Sequence, residues 1–358
     1  MRSVEVHRGV VAGLIRGRTP ATVTLADAQA LVLAGDVVAP LSLPVFDNSA
    51  MDGYAVRAVD IAGASPGTPV KLPVAEDIPA GRTDSLTLEP ATAHRIMTGA
   101  PLPNGATAVV PVEHTDAGVE LVTIAAAARP GQHIRKAGED VAAGTTVLRA
   151  GQVITPAALG LVAALGLAEV VVIPRQRVLV VSTGSELVPA GTALRPGQIH
   201  ESNGIMLAAA VRDAGAEVAG TESCGDDVAE FRAVLDRYSG RADLVITSGG
   251  VSAGAYEVVK DAFGTTGSVE FVKVAMQPGM PQGAGALADG RSIVTLPGNP
   301  VSALVSFEVF LRPALRAAMG LPNPDRPRRA AFLAETIPSP AGKRQFRRGV
   351  YDPDTGTV

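Results

Sequence analysis

Two textures in the sequence predict an α/β and β multidomain protein. Residues 176–320 alternate short apolar runs with helical patterns, the sign of a sheet with helices on both faces. Residues 45–134 carry runs such as VKLPVAED, ATAVVPVEHT and VELVTIAA separated by Gly, Pro, Asn and Asp, the texture of a small β domain. The flanking stretches 1–44 and 135–175 read as helical. The β region is therefore expected as an insertion between two halves of a split helical/linker domain. A chain of 358 residues accommodates roughly two to four domains.

The elements follow in order. Val4, Val11, Leu14 and Ile15 share a face of a helix over 4–15. Thr24 or Asp27 is expected to cap a second helix running through Ala34 and stopped by Gly35. Pro40 and Pro44 then exclude regular helix. After the β region, Thr155 and Pro156 make a favourable N-cap and first helical residue. RVLVVS (177–182) reads as a buried strand, NGIMLAAAVRDAG (203–215) as a helix ending at Gly215, and AEVAGTES (216–223) as a strand. Asp227 and Glu230 form a capping box ahead of Val228, Phe231, Leu235 and Tyr238 at helical spacing. ADLVITSGG (242–250) is strand and turn, Asp289-Gly290 signals a hairpin, and 300–318 is a long helix. Beyond a Pro-rich linker, residues 325–358 look strand-like but short for a domain, so a partial C-terminal β domain is expected.

Composition narrows the function classes. Hydrophobic residues at 47% supply a large core, and a net charge of −4 without a basic face argues against nucleic acid. Aromatics at 3% leave few groups to stack on bases. The lone Cys224 excludes an internal disulfide and a Cys-based zinc site, and reads as a small buried hydrophobe. His7, His94, His114, His133 and His200 show no ligand spacing. No run reaches the ~18 apolar residues of a membrane span, and acid and base interrupt the apolar run of MRSVEVHRGVVAGLIRG, so a cytoplasmic, soluble protein is expected.

Three loops share one design. VVSTGSEL (180–187), VITSGGVSAG (245–254) and VTLPGNPVSA (294–303) each place small residues at the carboxyl end of an expected strand. Glycines let backbone N–H groups approach an anion, hydroxyls add donors, and a helix N-terminus adds positive potential. A single Gly-rich turn is usually only a turn; three on consecutive strand ends point to a phosphate-rich ligand. Neither the P-loop nor the G-x-G-x-x-G spacing is present, which argues against a P-loop NTPase and a nicotinamide site. The acids Glu186, Asp226, Asp227 and Glu257 lie beside these loops. Carboxylates next to phosphates call for a divalent cation, and Mg²⁺ takes oxygen ligands while keeping waters. Asp227 also suits an N-cap, and Glu257 suits a first helical turn without any ligand. FDNSAMDGYAV (46–56) and RIMTGAPLPNGATAVV (95–110) read by themselves as turns leading into strands.

Taken together these strings resemble the molybdopterin molybdenumtransferase (MoeA) family, related to the E domain of gephyrin. The resemblance rests on PVFDNSAMDGYAVR, HRIMTGAPLPNGATAVVPVE, IRKAGEDVAAGTTVLRAGQVITPAALGLVAALG, VVSTGSELV, GQIHESNG, VITSGGVSAGAYEVVK and LPGNPVSALVSFEVFLRP, in order from near residue 20 onward. It implies an elongated homodimer of four-module subunits: a split helical domain with an inserted β domain, a mixed α/β molybdopterin-binding domain over 176–320, and a C-terminal β domain. The implied activity inserts molybdate into adenylylated molybdopterin, releasing AMP and molybdenum cofactor with Mg²⁺ assisting. The adenylyltransferase of the preceding step is an implied partner. Carried over by motif, the catalytic positions are Asp52, Thr98, Glu186, Asp226 or its neighbour Asp227 (Asp226 is preferred), and Glu257, where many members carry Asp. Glu186, Asp226 and Glu257 are the implied Mg²⁺ ligands. Ser182, Thr183, Gly184, Ser185, Asn203, Ser248, Gly249, Gly250, Ser252, Gly254, Pro297, Gly298, Asn299 and Pro300 are the implied substrate-binding positions. One departure stands out: many members read KPGKP where this chain has QPGMP, with Gln277 and Met280 in place of lysines. Lys260, Lys273, Arg95 and Lys136 are the candidate substitutes, and a molybdopterin-binding scaffold or weakly active paralogue is the rival function.

Overall fold

The computed structural model describes residues 1–250, 258–263 and 267–358. They form two compact units: Met1–Gly35 with Gly151–Ile154 and Val171–Val358, and Asp36–Ala150 with Thr155–Val170.

Helix α1 spans Val4–Leu14, started by Ser3, whose hydroxyl accepts from the Val6 amide at 3.2 Å. Its buried Val4 and Val11, with Ile15, share a core with Phe310, Leu311 and Leu315. The helix thus belongs to the unit holding the α/β sheet, not to a helical domain with the helix near residue 160 as the sequence order implied. The expected second helix through Ala34 does not form. Ala21–Thr24 and Val32–Leu33 are strands, and Val32 and Leu33 pair with Ile173 and Val172. Thr22, Val23, Thr24 and Val32 are β-branched and favour extended backbone, since a helix costs them rotamer freedom. Ala30 takes φ +62°, which no helix tolerates.

The second unit is built on a five-stranded sheet. Its strands are β1 (Gly53–Val56), β2 (Val70–Ile78), β3 (Ala93–Ile96), β4 (Ala108–Pro111) and β5 (Leu121–Ile124), in the order β4-β1-β3-β2-β5. All of β1 is buried because both sheet faces are covered. Tyr54 and Val56 enter one core with Val110, Val122 and Ile124, while Ala55 enters the other with Ile78, Ile96 and Val109. Helix α2 (Pro156–Ala164) starts as its sequence predicts, with the Thr155 hydroxyl accepting from the Ala158 amide at 3.2 Å.

The α/β sheet follows in the first unit. Strand β6 (Arg177–Thr183) leads to α3 (Asn203–Asp213) and β7 (Glu217–Cys224); α4 (Val228–Arg237) leads to β8 (Leu244–Ser248). Then come α5 (Val258–Phe263), β9 (Val269–Lys273), β10 (Pro281–Ala286), β11 (Ser292–Leu296) and α6 (Pro300–Ser306). A π-helical turn at Phe307–Leu311 joins α6 to α7 (Arg312–Ala318). The sheet order is β7-β6-β8-β11-β10-β9, with β7, β6, β8 and β11 parallel and β10 antiparallel to both neighbours. Alternate residues serve opposite faces. Val178, Val180, Ile246 and Val294 pack under α1, α3, α6 and α7, whereas Leu179, Val181, Val245 and Ile293 pack under α4 and α5. At the strand starts Arg177 grips Asp243 with two donors, at 2.7 and 3.1 Å. The Asp289-Gly290 turn between β10 and β11 is present, with Gly290 at φ +87°. Within 325–358 the strand-like reading reduces to Arg344–Gln345, paired with Met276–Gln277, and a few isolated bridges. Pro327, Pro338, Pro340 and Pro353 have no N–H to offer a ladder.

His7 lies wholly buried on α1 with its ring edge-on to Phe310 at 4.8 Å, and neither ring nitrogen has a partner among the described residues. Burial, aided by the nearby Arg2 charge, pushes its pKa down to about 4, against the opposing field of Glu270. The unfolded side chain takes up a proton near pH ~6.5, so His7 costs stability increasingly as pH falls from there to about 4. His7→Phe should therefore lose less stability between pH 7 and pH 5 than the parent chain does, as read by urea unfolding at both pH values.

Candidate functional site

The sheet order makes a crevice. From β6 the chain crosses α3 to β7 on one side, then crosses α4 on the opposite face to β8 on the other side of β6. Strand order reverses there, and loops leaving the carboxyl ends of the two strands diverge. The cavity at that point measures about 620 Å³. All three glycine-rich loops reach it. Ser182, Thr183, Gly184 and Glu186 come from the first; Ser248, Gly249 and Gly250 from the second; Gly298, Asn299 and Pro300 from the third. Asn203 and Asp226 join them from the sequence-predicted set, whereas Ser185 and Pro297 do not line the cavity.

The loops are held by side chains, and this changes what each can offer. Asn203, 9% exposed at the start of α3, donates through Nδ2 to Ser248 Oγ and to the Gly298 carbonyl, both at 2.7 Å. One amide thus clamps the second loop to the third. Ser185, expected as a ligand contact, instead donates its hydroxyl to Asp226 Oδ2 at 2.7 Å and its amide to the same oxygen at 3.2 Å. Asp227 caps α4, accepting from the Glu230 amide at 2.8 Å, so Asp226 is the junction acid that lines the cavity. Asn299 Oδ1 caps α6 by accepting from the Ser302 amide at 3.2 Å. Gly249 has φ +99°, and a Cβ there would stand 2.6 Å from the Thr183 carbonyl oxygen. Only glycine lets the first two loops approach so closely.

Glu201, His200, Leu187 and Ile199 also line the cavity and were not singled out from sequence. Glu201 Oε1 accepts from the Ser182 hydroxyl at 2.7 Å and from the Gly204 amide at 2.6 Å, capping α3 and turning the Ser182 proton away from any anion. Its signal lay in ESNG: an acid two residues before an Asn that opens a helix. Cys224 is buried, with its thiol pushed up to about 11 by burial and by the acids Glu230, Asp226 and Glu222, which rules it out as a nucleophile at neutral pH.

Asp52 and Thr98 belong to the β unit, where the turn before β1 and the turn after β3 bring them together. The Thr98 amide and hydroxyl both donate to Asp52 Oδ1 at 2.7 Å, holding that carboxyl below the usual range. In the same unit Lys136 pairs with Asp47 at 2.7 Å, and Arg95 stands 3.7 Å from Asp77. Ser252, Gly254 and Glu257 lie outside the described residues.

The charge of the cavity is one-sided. Glu186, Glu201 and Asp226 line it, with no Lys or Arg among its described lining residues. A phosphate-bearing ligand therefore needs a cation to enter. No group of three metal-ligating side chains occurs among the described residues. Mg²⁺ binds through one or two carboxylates, waters and substrate phosphates rather than a full protein cage, a mode that the two lining carboxylates Glu186 and Asp226 suit. Glu186 and the second oxygen of Asp226 have the free lone pairs for it.

This is a doubly wound α/β ligand-binding unit joined to a β unit, and the comparisons give that class its family. Residues 2–166 match the MoeA N-terminal region (domain I and II), and residues 179–317 match the probable molybdopterin binding domain. The chain is 70% identical to molybdopterin molybdenumtransferase 2 of Mycobacterium tuberculosis over 100% of its own length and 90% of that protein. It is 39% identical to molybdopterin molybdenumtransferase 1 of the same organism, over 99% and 88%. Among solved structures, the molybdopterin biosynthesis moeA protein of Pyrococcus horikoshii OT3 superposes with a TM-score of 0.74 at 28% identity, covering 100% of this chain and 89% of the other. The chain belongs to the MoeA family of molybdopterin molybdenumtransferases, transferases of molybdenum cofactor biosynthesis.

Gly249→Ala should lower stability by about 1–3 kcal/mol in urea unfolding, the cost of a side chain at φ +99° against the Thr183 carbonyl.

Proposed function

We propose that this chain inserts molybdate into adenylylated molybdopterin, releasing AMP and molybdenum cofactor. The observation that carries the reading is the convergence of three glycine-rich loops and two carboxylates, Glu186 and the half-committed Asp226, on one cavity at the switch point of a parallel sheet. The substrate brings its own dithiolene sulfurs, which agrees with a cleft whose nearest cysteine is buried and inert. Bound Mg²⁺ would neutralise the pyrophosphate and polarise the bond to be hydrolysed. The loops supply the rest. Their fixed backbone N–H groups meet charge that develops on the phosphorus oxygens. Ser185 holds Asp226 in place, and the Asn203 clamp keeps the second and third loops at a constant separation. Asp52, kept ionised by the Thr98 donors, is proposed as a further catalytic carboxylate, with Thr98 as its positioning partner. We further propose a cytoplasmic homodimer of four-module subunits that takes its substrate from the preceding adenylyltransferase.

The rival reading, a molybdopterin-binding scaffold or weakly active paralogue, is favoured by Gln277 and Met280, which remove two cations expected near the substrate. AMP release decides between them. Purified protein with adenylylated molybdopterin, Mg²⁺ and molybdate should release AMP and stop when EDTA is added; tight binding without AMP establishes the scaffold.

Glu186→Ala should abolish AMP release while shifting stability by less than about 0.5 kcal/mol, because its side chain makes no hydrogen bond among the described residues. A large fall in melting temperature would assign the residue a structural role.

A further inference from the structure

One corner of the cleft is chemically unlike the loops. Glu201 Oε1 already accepts from Ser182 Oγ and Gly204 N, so its proton-accepting capacity toward a ligand rests on Oε2, which has no partner among the described residues. Asn203 has spent both Nδ2 hydrogens on Ser248 and Gly298, and its Oδ1 is buried without a partner. Ser182 directs its proton at Glu201 and keeps only lone pairs free. All three groups line the same cavity and, as arranged, offer acceptors only.

A phosphate oxygen is itself an acceptor and is repelled there. What such a corner binds is a planar edge bearing adjacent N–H donors. Resting on the proposed substrate, we infer that Glu201 and Asn203 form the subsite for the 2-amino/N3–H edge of the pterin. The ligand then lies with its pterin over α3 and its phosphates over Gly249–Gly250 and Gly298–Asn299. A site built to accept from a ligand N–H rejects an analogue lacking it far more strongly than an apolar pocket rejects a missing methyl.

The subsite can be read without turnover and without metal. Equilibrium binding of pterin and of lumazine, in which a carbonyl replaces the 2-amino group, is measured in EDTA; AMP, the probe of the phosphate end, is titrated separately with Mg²⁺ present. The parent chain should prefer pterin by at least about tenfold. In Glu201→Gln the amide oxygen must take the Oε1 place to satisfy Gly204 N and Ser182, which puts NH₂ where Oε2 stood. The preference should collapse or invert toward lumazine while AMP binding is retained. A ratio of affinities does not depend on the fraction of variant that folds. Equal binding of the two pteridines by the parent chain, or an unchanged ratio in Glu201→Gln, overturns the subsite even if adenylylated molybdopterin binds. Failure of the parent chain to bind adenylylated molybdopterin at all sinks the substrate assignment itself.

Discussion

Parallel pairing is the constraint on which the rest of the α/β unit depends. After each parallel strand the chain must travel back along the sheet before it can pair again, and a helix is the compact way to do so. Strands β7, β6, β8 and β11 therefore demand helices on both faces, and both faces need apolar residues. The near-continuous hydrophobic runs of 177–183 and 244–248 follow from that demand. So does the position of every glycine-rich loop, since all four strands end on one edge. Because α3 and α4 lie on opposite faces, the loops after β6 and β8 part rather than collide, leaving room for a ligand between them.

Within that room two acids and one amide organise the hydroxyls. Asp226 holds Ser185, Glu201 holds Ser182, and Asn203 holds Ser248, each at 2.7 Å. Those serines read from sequence as donors for an anion, but two have their protons committed and the third accepts from an amide. On the proposed function, phosphate binding would fall instead to backbone N–H groups and to a cation held by the carboxylates. The same carboxylates thus do two jobs, fixing the loops through one oxygen and leaving the other for a ligand.

How legible this was depended on the range of the interaction. Local signals read true: the Thr155 and Asp227 caps, the Asp289-Gly290 turn, and the three loops at strand ends each depend on a few adjacent residues. The helix expected through Ala34 failed because its backbone partners, Val172 and Ile173, lie far away in sequence and no local pattern announces them. The placement of α1 failed likewise: its apolar stripe says that it packs, but Phe310, Leu311 and Leu315 decide where. Glu201 was missed for a related reason. Its neighbours Ser182 and Gly204 come from two elements, and only the fold brings the hydroxyl and the helix start to one oxygen.

The described lining of the cavity holds no Lys or Arg, and Gln277 and Met280 are not part of it. Lysines near a polyanion site pull the anion in on their own; carboxylates do so only through a metal. For the proposed substrate, a cleft lined by Glu186, Asp226 and Glu201 would shift the burden of anion binding from the protein to the cation. Such a site depends on how firmly its acids are held, because a carboxylate free to swing gives the metal no fixed geometry. The hydroxyl and amide bonds to Asp226 then matter as much as the acid itself, and the order in the loops becomes part of the chemistry.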